Sequence, residues 1–277
     1  MKTKFVSVLG AILFSFQFAI AQLPAAQSIG GTLVVAVPVR EGLAACSDKR
    51  LFNESTGTFT DDFVKIHQVS QNALFVATNT TGFFNPTTGR MEFDVFDLTA
   101  RYVSIHGFTP DKVFWDGLNK QIRENLLQYL LKRPYKDWPE TDHANSRLLF
   151  NLVFYTVAGN TDRSYSMSVF YEKAPTPVID IPNVVGLLVR SPQLLGKGKI
   201  VMSYLATKPE LARDPSILRF DQANFDAKKT TTQDAVSFAQ TLFRITNEAL
   251  PGARVSATYD CALLDYRSGF RWLTDTP

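Results

Sequence analysis

The residues of this chain that could do chemistry begin at one dipeptide. Gly31-Thr32 opens the stretch GTLVVAVPVREGLAACSDKR, residues 31–50, where a strand pattern starts abruptly after the small and polar run QLPAAQSIGG. A threonine hydroxyl is a weak nucleophile until a base takes its proton, and a threonine at a chain N-terminus carries such a base in its own α-amine. That amine has an ordinary pKa of about 7.7–8.0, so part of it is already neutral near physiological pH. Cleavage between Gly31 and Thr32 would therefore place nucleophile and base in one residue. A glycine before the cut suits the chemistry: the hydroxyl must fold back on its own preceding carbonyl, through dihedrals that a side chain would forbid.

Other reactive arrangements lack their residues. His67, His106 and His143 fall on different predicted elements without metal-ligand spacing, and His67, beside an apolar strand, reads as structural. There is no Gly-x-Ser-x-Gly elbow and no glycine-rich phosphate loop ending in Lys-Ser/Thr. No metal and no organic cofactor is expected. The net charge of +3 includes Lys2 and Lys4, and no basic stripe is interleaved with aromatics, so no nucleic-acid partner is expected.

The elements that must position Thr32 follow from hydrophobic patterning. The 277 residues, 45% of them hydrophobic, can bury a sizeable core. Lys2 and Lys4, the apolar run from Phe5 to Ile20 and the small residues of Ala19-Ile20-Ala21 predict a cleaved signal peptide over 1–21, a leader over 22–31 and one domain over 32–277. Export follows, with a membrane contacted only through an uncleaved signal segment. Thr32–Val39 and Leu43–Asp48 are nearly continuous in apolar residues, as in strands covered on both faces. Val64–Val69 and Ala73–Ala77 read as a further strand pair, and 51–62 as a loop. Met91–Phe96 and Arg101–Ile105 read as an added hairpin within an insertion near 82–108.

A helix is predicted from a Thr109 N-cap and Pro110 to Pro134, and a second over Ser146–Val157, where Leu148, Leu149, Leu152 and Tyr155 share one side. Strands are predicted at Ser164–Tyr171, Val184–Val189 and Lys199–Ala206. Thr231 or Thr232 caps a third helix, and Val255–Leu264 and Phe270–Leu273 close the chain as strands. The grouping suggests an α+β fold with two stacked sheets covered by helices on each side. Cys46 and Cys261 sit in apolar strand-like runs, equally consistent with a disulfide and with two buried thiols.

At this point the opening stretch resembles a family. Gly31-Thr32, the turn at Gly42 and Asp48-Lys49-Arg50 look like the start of a proteasome β-subunit or of its bacterial heat-shock peptidase relatives. There a Gly-Thr bond is cut, the freed threonine begins the first strand, and an aspartate lies sixteen residues on, which is the step from Thr32 to Asp48. The family's next signal, a Val-Lys opening the third strand, is matched by Phe63-Val64-Lys65-Ile66 and then Ala73-Leu-Phe-Val-Ala-Thr-Asn79, with a single extra residue in the preceding loop. The late helix near Thr232–Ala239 and the final strands resemble the family more weakly.

The resemblance implies a four-layer αββα sandwich of the N-terminal-nucleophile (Ntn) hydrolase type and hydrolysis of an amide, expected to be a peptide bond. Thr32 would be the nucleophile. Lys65 would lower the pKa of its amine by like-charge repulsion, Asp48 would orient Lys65, and the Asn79 backbone would help form the oxyanion hole. Leu51, Phe63, Ala77 and Thr81 would fall on pocket positions for a substrate side chain. A homo-oligomer is a further implication. The family's supporting serine falls on Gly196-Lys197-Gly198, and its supporting aspartate and serine fall on Glu248 and Pro251, none of which repeats the family residue. Two other readings stand beside this one: an exported, non-catalytic binding or assembly subunit in which Thr32 is never released, and an Ntn amidase of small amides. Taken singly, Thr32 is also an ordinary β-branched strand residue and Asp48–Lys65 an ordinary ion pair.

Overall fold

The computed structural model describes residues 32–53, 58–84, 91–132, 148–221, 224–250, 252 and 254–274. The expected signal segment and leader, Gly31, His143, Pro134 and Pro251 lie outside the described residues.

In chain order the first strands are β1 (Leu33–Val39), β2 (Gly42–Asp48), β3 (Leu51–Asn53), β4 (Thr58–Thr60), β5 (Ile66–Ser70), β6 (Ala73–Asn79), β7 (Gly82–Phe84) and β8 (Met91–Asp94). Helices α1 (Val95–His106) and α2 (Lys112–Leu131) follow, then β9 (Leu148–Ala158), β10 (Thr161–Glu172), β11 (Val178–Asp180), β12 (Val185–Leu188) and β13 (Gln193–Gly196). The chain continues through α3 (Gly198–Ala206), α4 (Pro209–Ala212), α5 (Pro215–Leu218) and α6 (Thr232–Ala249) to β14 (Tyr259–Asp265) and β15 (Gly269–Trp272).

The strands form two large antiparallel sheets. The first has the order β13-β1-β2-β14-β15; the second has the order β11-β10-β9-β6-β5, with β12 also on β10. Two small hairpins, β3–β4 and β7–β8, complete the pairing. Every residue of β1 and β2 is buried, as their unbroken apolar runs require. Side-chain alternation explains how. Val34 and Ala36 of β1 meet Leu74 and Val76 of β6 in an apolar layer between the sheets. The intervening Leu33, Val35 and Val37 face α3 and α6 instead, packing with Val201 and Leu242. On the far side of the second sheet, Phe75 and Ala77 pack with Phe96 of α1 and Leu118 of α2. Together these form a mixed α/β fold with three apolar layers.

Five sequence expectations are corrected. Residues 101–105 are helix, not the second arm of a hairpin. Met91–Asp94 pairs with Gly82–Phe84, and Asp94 then caps α1, its Oδ1 accepting from the Phe96 N–H at 2.8 Å. Val95, Leu98, Thr99 and Val103 fall on the buried side of that helix. Residues 148–158 are a strand, not a helix. The leucines at helical spacing are interleaved with Phe150, Val153, Phe154 and Val157, and the strand sends Leu152 and Phe154 to the helix side and Val153 and Tyr155 between the sheets.

Residues 199–206 are helix, because Val201 and Leu205, four apart, are the buried pair while Met202 is exposed. The α2 N-cap is Asp111 rather than Thr109. Its carboxylate accepts from the Phe114 N–H at 2.9 Å, a stronger acceptor for the first-turn donors than a hydroxyl. The stretch read as a loop over 51–62 holds the short β3–β4 hairpin. By contrast, Thr231 does cap α6, in a reciprocal capping box with Asp234.

Candidate active site

The site assembles where β1 begins, β2 ends and the chain enters β5. Asp48, the last residue of β2, is fully buried and Lys65, one residue before β5, is 2% exposed. Lys65 Nζ donates to Asp48 Oδ2 at 3.0 Å, an ion pair joining the first sheet to the approach of the second. Oδ1 of the same carboxylate accepts the Leu33 N–H at 2.7 Å, and Oδ2 also accepts the Arg50 N–H at 3.1 Å. Asp48 therefore grips the peptide bond on the C-terminal side of Thr32 with one oxygen while it holds the lysine with the other. Burial pushes the Asp48 carboxyl up and the Lys65 ammonium down from their ordinary values, against the attraction between the two charges.

Thr32 itself is buried in the full chain. Its carbonyl accepts the Lys197 N–H at 2.9 Å, and Leu33 stands opposite Gly196 in the β1–β13 register. Gly196 has φ +65°, and a Cβ there would collide with the Thr32 carbonyl oxygen, so glycine is required on both counts. The segment Gly196-Lys197-Gly198, reached from the sequence by resemblance alone, is thus in direct contact with Thr32. Lys197 is buried as well.

Asn79 ends β6 with φ 70°, a left-handed conformation that asparagine tolerates better than most residues. It turns the chain so that Thr80 N–H bonds to Leu149 at 3.0 Å. Of the four residues expected at pocket positions, Phe63 and Ala77 share one cluster with Phe96, the Phe63 and Phe96 rings 5.4 Å apart. Thr81 is buried and its carbonyl accepts from Val95 N–H at 2.9 Å, tying the turn between β6 and β7 to the start of α1. Leu51 stands on the β3–β4 hairpin, half-buried and opposite Thr60, outside that cluster. Glu248 is not brought to the site: it is exposed on α6 and pairs with Arg244 at 3.2 Å.

His67 is structural, as expected. Its Nε2 lies 3.1 Å from the Val64 carbonyl, its ring stacks on Phe75 at 5.0 Å, and burial lowers its pKa. Cys46 and Cys261 stand directly opposite each other on β2 and β14 and form a disulfide, which closes the alternative left open by the sequence.

Sequence reasoning missed a supporting pair. Arg50 forms a two-pronged bridge to Asp61, Nε and Nη2 each 2.8 Å from a carboxylate oxygen, while its guanidinium lies 4.2 Å from the Phe59 ring centroid. This bridge fixes the β3–β4 hairpin against the residue whose N–H holds Asp48. The signal available was Arg50, two residues past Asp48; nothing in the sequence named Asp61 as its partner.

No protein-family model matches the chain, and no curated protein matches it. Among solved structures, one similar in shape is an Anbu (Gly-1) mutant from Hyphomicrobium sp. strain MC1, at 12% identity and a TM-score of 0.44, with 88% of each chain covered. At that distance the likeness assigns neither family nor activity.

Proposed function

We propose that the chain is an exported threonine-type Ntn hydrolase with a proteasome-like four-layer αββα fold, cleaving amide bonds after release of Thr32. The observation that carries this reading is the shared carboxylate: Asp48 binds the Leu33 N–H, next to Thr32, and the buried Lys65 ammonium at the same time. A structural ion pair alone does not require that its acid also hold the backbone next to Thr32, the threonine at the start of β1.

In this mechanism the Thr32 hydroxyl first attacks the Gly31 carbonyl, the Gly31–Thr32 C–N bond breaks to free the α-amine and leave an ester on the threonine oxygen, and water hydrolyses that ester, releasing the leader as a carboxylate and restoring the hydroxyl. In each later turnover the amine takes the hydroxyl proton as the oxygen attacks a substrate carbonyl, then passes that proton to the departing amine. Water hydrolyses the acyl-enzyme ester and restores the hydroxyl. The Lys65 ammonium disfavours a second positive charge on the amine, keeping it available as a base. The Asn79 backbone, at the turn that ends β6, helps form the oxyanion hole. Export is supported by the Cys46–Cys261 disulfide, a bond characteristic of oxidising compartments.

The test is the intact mass of the full chain recovered after export. A species beginning at Thr32, absent from a Thr32→Ala variant, supports the hydrolase; a Thr32 still joined to Gly31 in all recovered protein rules it out. The second reading, a non-catalytic binding or assembly subunit, is favoured by the position of Glu248, which leaves the supporting acid of the family's site without a counterpart there. It predicts identical behaviour for wild type and Thr32→Ala.

A further inference from the structure

Beside Thr32 lies a polar group with no evident structural work. Thr78, the penultimate residue of β6, is completely buried, and its Oγ1 has no hydrogen-bond partner. Its direction follows from the strand. Leu74 and Val76 face the layer between the sheets, and the period of two continues that side to Thr78. There it meets the first sheet at Gly196. A Cβ built on Gly196 would lie 3.2 Å from the Thr78 Cβ while colliding with the Thr32 carbonyl oxygen, so Thr78 and the Thr32 backbone flank the same point. The next residue along β6 is Asn79, whose backbone is proposed to help form the oxyanion hole.

A hydroxyl taken out of water without a partner destabilises the fold relative to an apolar group of the same shape. Valine has that shape and suits a strand interior better. The same cost at Thr99, whose Oγ1 is also buried and unpartnered, falls on α1, in the helix-side apolar cluster rather than against β1.

We infer that Thr78 is a positioning residue for Thr32: its hydroxyl oxygen accepts a hydrogen bond from the α-amine that release of Thr32 creates. In the uncut chain that nitrogen carries a single N–H fixed in the peptide plane and does not bond the hydroxyl, whereas the released amine carries up to three N–H donors free to rotate about N–Cα. Once cut, the amine stands at the start of β1, one residue before the Leu33 N–H that Asp48 holds and opposite the Gly196 crossing where Thr78 lies. The bond orients the base toward its own hydroxyl. By favouring the protonated amine it also opposes Lys65, bringing the pKa of the amine nearer to the ordinary range. This inference rests on the reading of Thr32 as a released nucleophile.

The experiment uses the exported full chain as wild type, Thr78→Val, Thr78→Ser and Thr99→Val, and follows acylation of Thr32 by a β-lactone probe, by mass, as a function of pH. Thr78→Val is expected to acylate roughly three- to tenfold more slowly, with the acidic limb of the profile moved down by about 0.5–1 pH unit. Thr78→Ser restores rate and limb, and Thr99→Val leaves both at wild-type values. In a Thr32→Ala background Thr78→Val should melt no lower than its parent, which separates positioning from support of the fold.

A Thr78→Val protein with the wild-type rate and limb overturns the inference while leaving the hydrolase reading intact. So does slow acylation that Thr78→Ser fails to restore, accompanied by a lower melting temperature. A wild-type chain that is neither cut before Thr32 nor acylated there overturns the hydrolase reading, and this inference with it.

Discussion

Lys65 and Asp48 meet at 3.0 Å across the gap between the two sheets, both removed from water, and the Asp48 carboxylate also carries the Leu33 and Arg50 N–H groups. Removing one member leaves a buried charge unpaired, which costs about 3–5 kcal/mol. Asp48→Asn and Lys65→Met should each lower stability by that order in urea unfolding. Joining the two changes should recover much of the loss, since the pair is then replaced rather than broken. Release of Thr32 should fail in the double variant despite its recovered stability.

Gly196→Ala should be more damaging than a glycine-to-alanine change usually is. The added Cβ is forbidden by φ +65° and by the Thr32 carbonyl oxygen, so β1 and β13 must separate at Leu33–Gly196. The expected loss is upwards of about 1 kcal/mol. Thr32 should also be displaced, so intact mass should report impaired release in the fraction that still folds. Gly159→Ala, with φ +60° but open space around it, provides the comparison: backbone strain without collision.

Asp162 and Tyr266 predict a pH dependence at a second contact between the sheets. Burial pushes the Asp162 carboxyl up to about 6, opposed by the Tyr266 hydroxyl, which donates to its Oδ2 at 2.9 Å. The folded-state pKa exceeds the unfolded one, so the folded chain holds a proton that the unfolded chain has lost. This group therefore costs nothing below about pH 4, costs progressively more as pH rises to about 6, and by pH 8 costs on the order of 2–3 kcal/mol. Asp162→Asn keeps an oxygen for Tyr266 and should raise the melting temperature at pH 8 while leaving it nearly unchanged at pH 4.

The Cys46–Cys261 disulfide joins central strands of the first sheet across a sequence separation of 215 residues. Replacing both cysteines by alanine should cost about 2–5 kcal/mol. Because both are buried, a reductant should have no effect on the folded protein and should shift the unfolding midpoint only when present during denaturation.

Local features of the chain were enough for the elements that bear their own signature. The apolar runs of β1 and β2 could only be strands covered on both faces, and Thr231 with Asp234 marked the start of α6 by capping chemistry confined to a few residues. The spacing of Thr32, Asp48 and Lys65 was legible too, and the last two do meet. What local pattern could not separate was decided by neighbours. Residues 148–158 satisfy helical spacing as well as strand alternation, and became a strand because β6 and β10 lie on either side to take its backbone bonds. Residues 199–206 became a helix because β1 offered a surface for Val201 and Leu205.

Pairings distant in sequence were out of reach for the same reason. That Cys46 faces Cys261, that Arg50 finds Asp61, and that Thr78 and Gly196 close on Thr32 all depend on how two sheets stack. A linear pattern encodes which side chains share a face; which faces then meet is set by packing the whole core.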